Sequence, residues 1–288
     1  MKRTMVVLAL AAFSTCLLNA QFGLGKIKDK LDAGKSKAKP VSDRAERAVE
    51  NFQEWTPQEE QEIGEATAAK MIAMFGVIET PALVRYVNLV GQAVAQYAPR
   101  QVPYRFGILD SDIVGAFALP GGFIFITKTA IEGMTNEAQL AGALGHEVVH
   151  VSERHLEAAI RGKKNSAWAA EEAKAKASPT LAPDYLKKKA DAFLQEMFNM
   201  RLSRDKEDGS DERGTLMAAQ AGYDAGGLLE FLRTLQQVSA KPENQRAFGQ
   251  LLSTHPSFDD RIAHLAPIVA KSAKGGKTLE ARFRGAVK

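Results

Sequence analysis

His146-Glu147-Val148-Val149-His150 form an H-E-x-x-H set inside a stretch whose apolar residues Leu140, Ala141, Leu144, Val148 and Val149 keep helical spacing. Positions four apart on a helix lie about 40° apart around the axis and one turn along it, so both imidazoles can reach a single ion. The carboxylate beside the first can take a proton from water that the ion activates. The spacing predicts a helix capped by Thr135 that carries two metal ligands and a base, and the fold must bring a third ligand from elsewhere in the chain.

That ligand is not the next acidic residue. Glu153 falls near the same helix face but about 10 Å along the axis from His146, and three ligands in a line cannot build a tetrahedral shell. The elongated metzincin pattern would place Gly at 153 and His at 156, where this chain has Glu153 and Leu156. A carboxylate on a later helix is the remaining common solution. Glu207 and Asp211 are four apart, so one could ligate while the other accepts the outer ring proton of a ligating histidine. By composition alone, however, DKEDGSDERG reads first as an exposed acidic turn. Of the other histidines, His255 in Thr254-His255-Pro256 reads as a surface turn residue. His155, about 140° around the helix from His150, and His264 read as structural or solvent-exposed.

The amino terminus places the chain in a compartment. Lys2 and Arg3 precede an apolar run from Met5 to Leu18 and a small-residue site at Asn19-Ala20, the pattern of a signal peptide over 1–20. Periplasmic or secreted localisation is expected. Cys16 is the only cysteine, and Thr15 before it is bulkier than a lipidation site prefers, so a lipoprotein is the less favoured outcome. Lys2 and Arg3 are the only charged residues of 1–20, so cleavage would lower the net charge from +4 to +2, too little to argue for nucleic acid. Residues 21–54 begin with a lysine-rich stretch that reads as a linker, and membrane association is expected only through lipidation or this basic segment.

Beyond the linker, Thr56-Pro57-Gln58-Glu59 reads as a capping box that starts a helix running to about Phe75, and Pro81 to about Tyr97 as a second helix. Tyr104 to Leu109 and Phe123 to Thr127 read as strands, with Ile113 to Leu119 as an edge strand ending at Pro120-Gly121-Gly122. Residues 163–184, rich in Ala and Lys, read as a surface helix and loop. Further helices are expected from Tyr185 to about Lys206, and over about 212–221, 225–239 and 258–271.

From Trp55 to about Lys271 the chain resembles the HtpX-like and CAAX-prenyl-protease-like zinc peptidases, in particular their periplasmic BepA and LoiP type. The pieces that carry the resemblance are AFALPGGFIFIT, NEAQLAGALGHEVVHVSERH, SRDKEDGSD, MAAQAGYD and STHPSFDDR. It implies an α+β, zincin-like (gluzincin) metallopeptidase fold, mostly helical with a small β-sheet beside the H-E-x-x-H helix, spanning 55–271 with 272–288 as a tail. It implies one Zn2+ per chain held by His146, His150 and Glu207, with Asp211 behind a ligand, Glu147 as general base, His255 approaching the ion and Arg261 nearby. The edge strand at Ala116, Phe117 and Ala118 is then expected to pair with substrate backbone.

Two positions depart from the family pattern. Ser210 replaces the usual Ala and follows Gly209, and a glycine inside a helix costs about 1 kcal/mol, so fraying near the ligand and weaker zinc binding are expected. Gly115 stands where the family has Asn. The implied function is endopeptidase action on unfolded or misfolded envelope proteins, with outer-membrane assembly machinery as a partner. The alternative is a latent peptidase acting mainly as a chaperone or assembly factor.

Overall fold

The structure, a computed structural model, describes residues 55–161, 182–199, 201–272 and 275–287. The signal-peptide segment, Cys16, the basic linker and most of 163–184 lie outside the described residues.

Helix α1 (Pro57–Phe75) starts at the capping box, with the Glu59 side chain accepting from Thr56 N–H at 2.8 Å and Thr56 Oγ1 from Glu59 N–H at 3.2 Å. Helix α2 (Pro81–Ala95) follows, then β1 (Arg105–Leu109), β2 (Ala116–Ala118) and β3 (Phe123–Thr127). The sheet has the order β1-β3-β2, with β1 parallel and β2 antiparallel to β3. Every residue of the central strand FIFIT is buried, as befits its β-branched and aromatic composition. Between β2 and β3, Gly121 and Gly122 adopt φ of 70° and 91°, which only glycine reaches without strain.

Only Ala116–Ala118 of the expected strand from Ile113 to Leu119 is paired. Gly115 still bonds to Thr127 at the end of β3, whereas Val114 turns away, its N–H donating to Ala247 O at 2.9 Å. β2 is still an edge strand, and no described strand covers its outer side.

After the short α3 (Lys128–Glu132) comes α4 (Glu137–Ser152), the H-E-x-x-H helix, all of whose residues are buried. Its cap is Asn136 rather than Thr135, the Asn136 side chain accepting from Gln139 N–H at 3.1 Å. The buried Glu137 carboxylate in the first turn receives Tyr86 OH at 2.7 Å, Tyr223 OH at 2.8 Å and Arg282 Nε at 2.5 Å. Such a charge suits the positive end of the helix dipole.

Helices α5 (His155–Arg161), α6 (Ala182–Asn199), α7 (Arg204–Gln220), α8 (Gly227–Ser239), α9 (Gln245–Thr254), α10 (Phe258–Lys271) and α11 (Glu280–Val287) complete the described chain. Several sequence expectations change here. The helix expected to reach Lys206 ends at Asn199, and the acidic stretch expected as an exposed turn is the interior of α7, with Glu207, Ser210 and Asp211 fully buried. α7 also runs unbroken through Gly209, where fraying was expected. Its contacts with α4 outweigh local composition, a common outcome for helices stabilised by tertiary packing. Residues 272–288, expected as a tail, carry α11, whose Phe283 is buried in the core. None of the described helices is long and apolar enough to cross a membrane.

Candidate metal centre

Two glycines bring α4 and α7 together. A Cβ on Gly145 would come within 2.7 Å of Gly214 O, and one on Gly214 within 2.5 Å of His146 N, so the backbones touch where any side chain would hold them apart. Glu207 and Asp211 lie on the same helix as Gly214 and therefore arrive beside His146 and His150.

The result is a cluster of four potential ligand atoms, from His146, His150, Glu207 and His255, all within 4.8 Å of one another. His146 Nε2 lies 2.9 Å from His150 Nε2 and 3.7 Å from Glu207 Oε2. His150 Nε2 is 3.5 Å from Glu207 Oε1, and His255 Nε2 is 3.7 Å from Glu207 Oε2. A tetrahedral ion with bonds of about 2.0–2.1 Å separates its donors by about 3.4 Å, so these spacings suit a metal. Both Glu207 carboxylate oxygens are buried and neither has a hydrogen-bond partner among the described residues. A buried carboxylate without partners is costly, and the two imidazole nitrogens facing it make a cation the natural counterpart.

The Nδ1 side of His146 faces the Asp211 carboxylate at 2.8 Å, which itself receives Arg261 Nε at 2.8 Å and Nη2 at 2.5 Å. Arg261 comes from the first turn of α10 and is buried. Burial opposes charge on Asp211, yet the Arg261 guanidinium and His146 hold its carboxyl well below the usual carboxylate range. Burial also opposes the His146 imidazolium, but Asp211 outweighs it and the imidazole pKa rises. For His150, burial and the neighbouring His146 both lower the pKa, leaving a neutral ring suited to ligation. Burial lowers His255 as well, against the pull of Glu207.

Glu147 is buried on the same turn as His146. Burial pushes its carboxyl up to about 7, with the nearby His146 working the other way. It lines a cleft together with His146, His255, Gly115 and Ala116, so the edge strand runs beside the cluster. Phe117, between the two alanines, faces away into a second core and meets Phe198 of α6 edge-on, ring centres 5.8 Å apart.

A sequence model of Peptidase family M48 matches residues 81–269, a span that contains every residue of this centre. The chain belongs to Peptidase family M48. Among M48 relatives it is similar to the beta-barrel assembly-enhancing protease of Escherichia coli (strain K12), 25% identical over 244 residues, which cover 79% of this chain and 48% of that protein. The protein of the same name in Yersinia pestis is 27% identical over 216 residues, covering 71% and 43%. Human mitochondrial metalloendopeptidase OMA1 is 28% identical over 185 residues, covering 60% and 34%. The chain spans about half the length, or less, of the curated relatives it matches.

For His255, composition and the family resemblance point in different directions. His255, a turn residue by composition, lies beside Glu207 because α9 delivers it, and α9 with its mixed sequence QRAFGQLLST gave no helical signal. His155 was placed on a continuation of α4. The helix instead stops at Ser152 and Arg154 turns left-handed at φ 54°, its Nε 2.6 Å from Glu60 Oε1 of α1. The chain therefore doubles back and seats His155, buried, against His150. His264 stays apart, half-exposed near Asp208.

Proposed function

We propose that this chain is a zinc-dependent endopeptidase of the bacterial envelope, with a zincin-like peptidase domain over 55–271 and a signal peptide over 1–20, that hydrolyses unfolded or misassembled envelope proteins. The observation that carries the reading is Glu207: a carboxylate with both oxygens buried and unbonded, facing the Nε2 atoms of His146 and His150.

His146, His150 and Glu207 would hold the ion, and when bound it supplies Lewis acidity at the scissile carbonyl. Glu147, one residue from a ligand and lining the cleft, takes the proton of the attacking water and returns it to the leaving amine. Asp211 and Arg261 hold the His146 ring with its Nδ1 hydrogen outward and its Nε2 lone pair inward. The outer side of Ala116–Ala118, which no described strand covers, offers backbone groups to an extended peptide, which favours unfolded segments over folded surfaces. The name of the bacterial relatives, beta-barrel assembly-enhancing protease, supports a client or partner connected with β-barrel assembly.

The deciding experiment is hydrolysis of casein by the wild type, with and without chelator, beside Glu147→Gln. Zinc binding and fold should survive in the variant while cleavage is lost; cleavage by Glu147→Gln would overturn the assignment. The position of His255 favours a second reading. A fourth protein donor at the cluster fills the place that catalytic zinc sites leave open, which would describe a latent peptidase acting mainly as a chaperone or assembly factor. Casein left uncut by zinc-loaded wild type but cut by His255→Ala would support it.

A further inference from the structure

The outer faces of the two α4 histidines are held differently. Asp211 sits on the Nδ1 side of His146, whereas the Nδ1 side of His150 meets a second imidazole, His155 Nδ1, at 3.0 Å. Two ring nitrogens at that distance share one hydrogen: one donates it and the other presents a lone pair. The far side of His155 settles which. Its Nε2 lies 3.1 Å from Glu153 Oε2, and an ionised carboxylate only accepts, so His155 Nε2–H donates there. His155 Nδ1 is then the acceptor, His150 Nδ1–H donates to it, and the His150 Nε2 lone pair is left facing Glu207 Oε1.

Glu153 is itself held in place. Arg213 of α7 donates from Nη2 to its Oε2 at 2.7 Å, with Nε 2.5 Å from Oε1 as an ion-pair contact. Ser210, which replaces the family's Ala, and the preceding Gly209 both border this chain of contacts. A Cβ on Gly209 would lie 2.6 Å from Arg213 Nη2, so the bare glycine leaves the room the guanidinium occupies. Ser210 Oγ, fully buried, lies 3.5 Å from His155 Nδ1.

We infer that His155 is a positioning residue for the zinc ligand His150, accepting its Nδ1 hydrogen, and that Glu153 and Arg213 fix the ring form in which it can do so. The inference rests on the metal-site reading above. An acceptor behind a ligating imidazole fixes the ring's orientation and raises its basicity. Here that acceptor is uncharged, beside a cluster in which the carboxylates of Glu147, Glu207 and Asp211 and the guanidinium of Arg261 are all buried.

The test uses the full chain and zinc alone, with affinity read by competition against a chromogenic chelator. His155→Phe fills the space without an acceptor and should lose about 10–100-fold in zinc affinity. His155→Asn, whose Oδ1 stands near the place of Nδ1, should recover most of it. Equal affinity in His155→Phe and wild type, or an equal loss in both variants, overturns the inference. Failure of the wild type to bind zinc would instead remove the metal-site reading itself. Should His155→Phe not fold, two-bond 15N–1H spectra of the five histidines in the wild type decide. His150 should carry its hydrogen on Nδ1 and His155 on Nε2, and the opposite ring forms overturn the assignment.

Discussion

Replacing Gly214 with alanine tests how the centre is assembled. The added Cβ would lie 2.5 Å from His146 N, 2.7 Å from Gly145 C and 2.9 Å from His146 Cα, all backbone atoms that no side-chain rotation can clear. Ordinary carbon contacts begin at about 3.5 Å, so α4 and α7 must separate by roughly 1 Å. Overpacking of this kind costs about 1–3 kcal/mol, and rigid backbone on the other side puts it at the upper end. Alanine returns about 0.5–1 kcal/mol of helix preference, leaving a net loss of about 2–2.5 kcal/mol. Gly249→Ala is the control, since Gly249 lies inside α9 with nothing within 4 Å of its Cβ position and should gain about 0.5–1 kcal/mol. Urea unfolding of both variants in chelator measures the difference. Zinc affinity of Gly214→Ala should fall as well, because Glu207 moves relative to His146 and His150, and such sites tolerate only about 0.5 Å of misplacement. A Gly214→Ala protein as stable as the wild type, with unchanged zinc affinity, would refute the argument that the glycine contact sets the ligand geometry.

Arg261→Met leaves the buried Asp211 carboxylate without its guanidinium and should cost about 3–5 kcal/mol in urea unfolding; a loss below about 1 kcal/mol would mean the pair is not buried as described. Zinc at about a hundred times its Kd should stabilise the chelator-treated protein by about 2.7 kcal/mol, a Tm rise of roughly 5–11 °C, and His150→Ala should abolish the rise. Glu157 of α5 binds Trp55 N–H at 2.8 Å, and burial pushes its carboxyl up from 4.5 to about 7. Its raised folded pKa means that its contribution is present below pH 4.5 and lost as pH climbs to about 7. Glu157→Gln, which keeps an acceptor for Trp55 and cannot ionise, should therefore gain on the wild type across that window, and a Tm difference that ignores pH would contradict this.

Local pattern alone settled the elements whose own residues choose their conformation. The capping box of α1, the β-branched and aromatic strands β1 and β3, the glycine turn before β3 and the H-E-x-x-H face of α4 all follow from short-range sterics and hydrogen bonding. The resemblance to a zinc peptidase family pointed to Glu207 and Asp211 while composition pointed to an exposed turn. Burial of that acidic stretch became visible only with α7 packed through Gly214 against Gly145, since a carboxylate enters a core only where partners wait for it. The end of α4 has a similar cause. Neither Gly nor Pro marks Glu153-Arg154, and the left-handed turn that returns His155 to His150 sits where Arg154 meets Glu60 of α1, 94 residues earlier in the chain. Sequence periodicity reports what a segment does with its own neighbours, and the outer partners of a metal ligand are contributed by segments it meets only after folding.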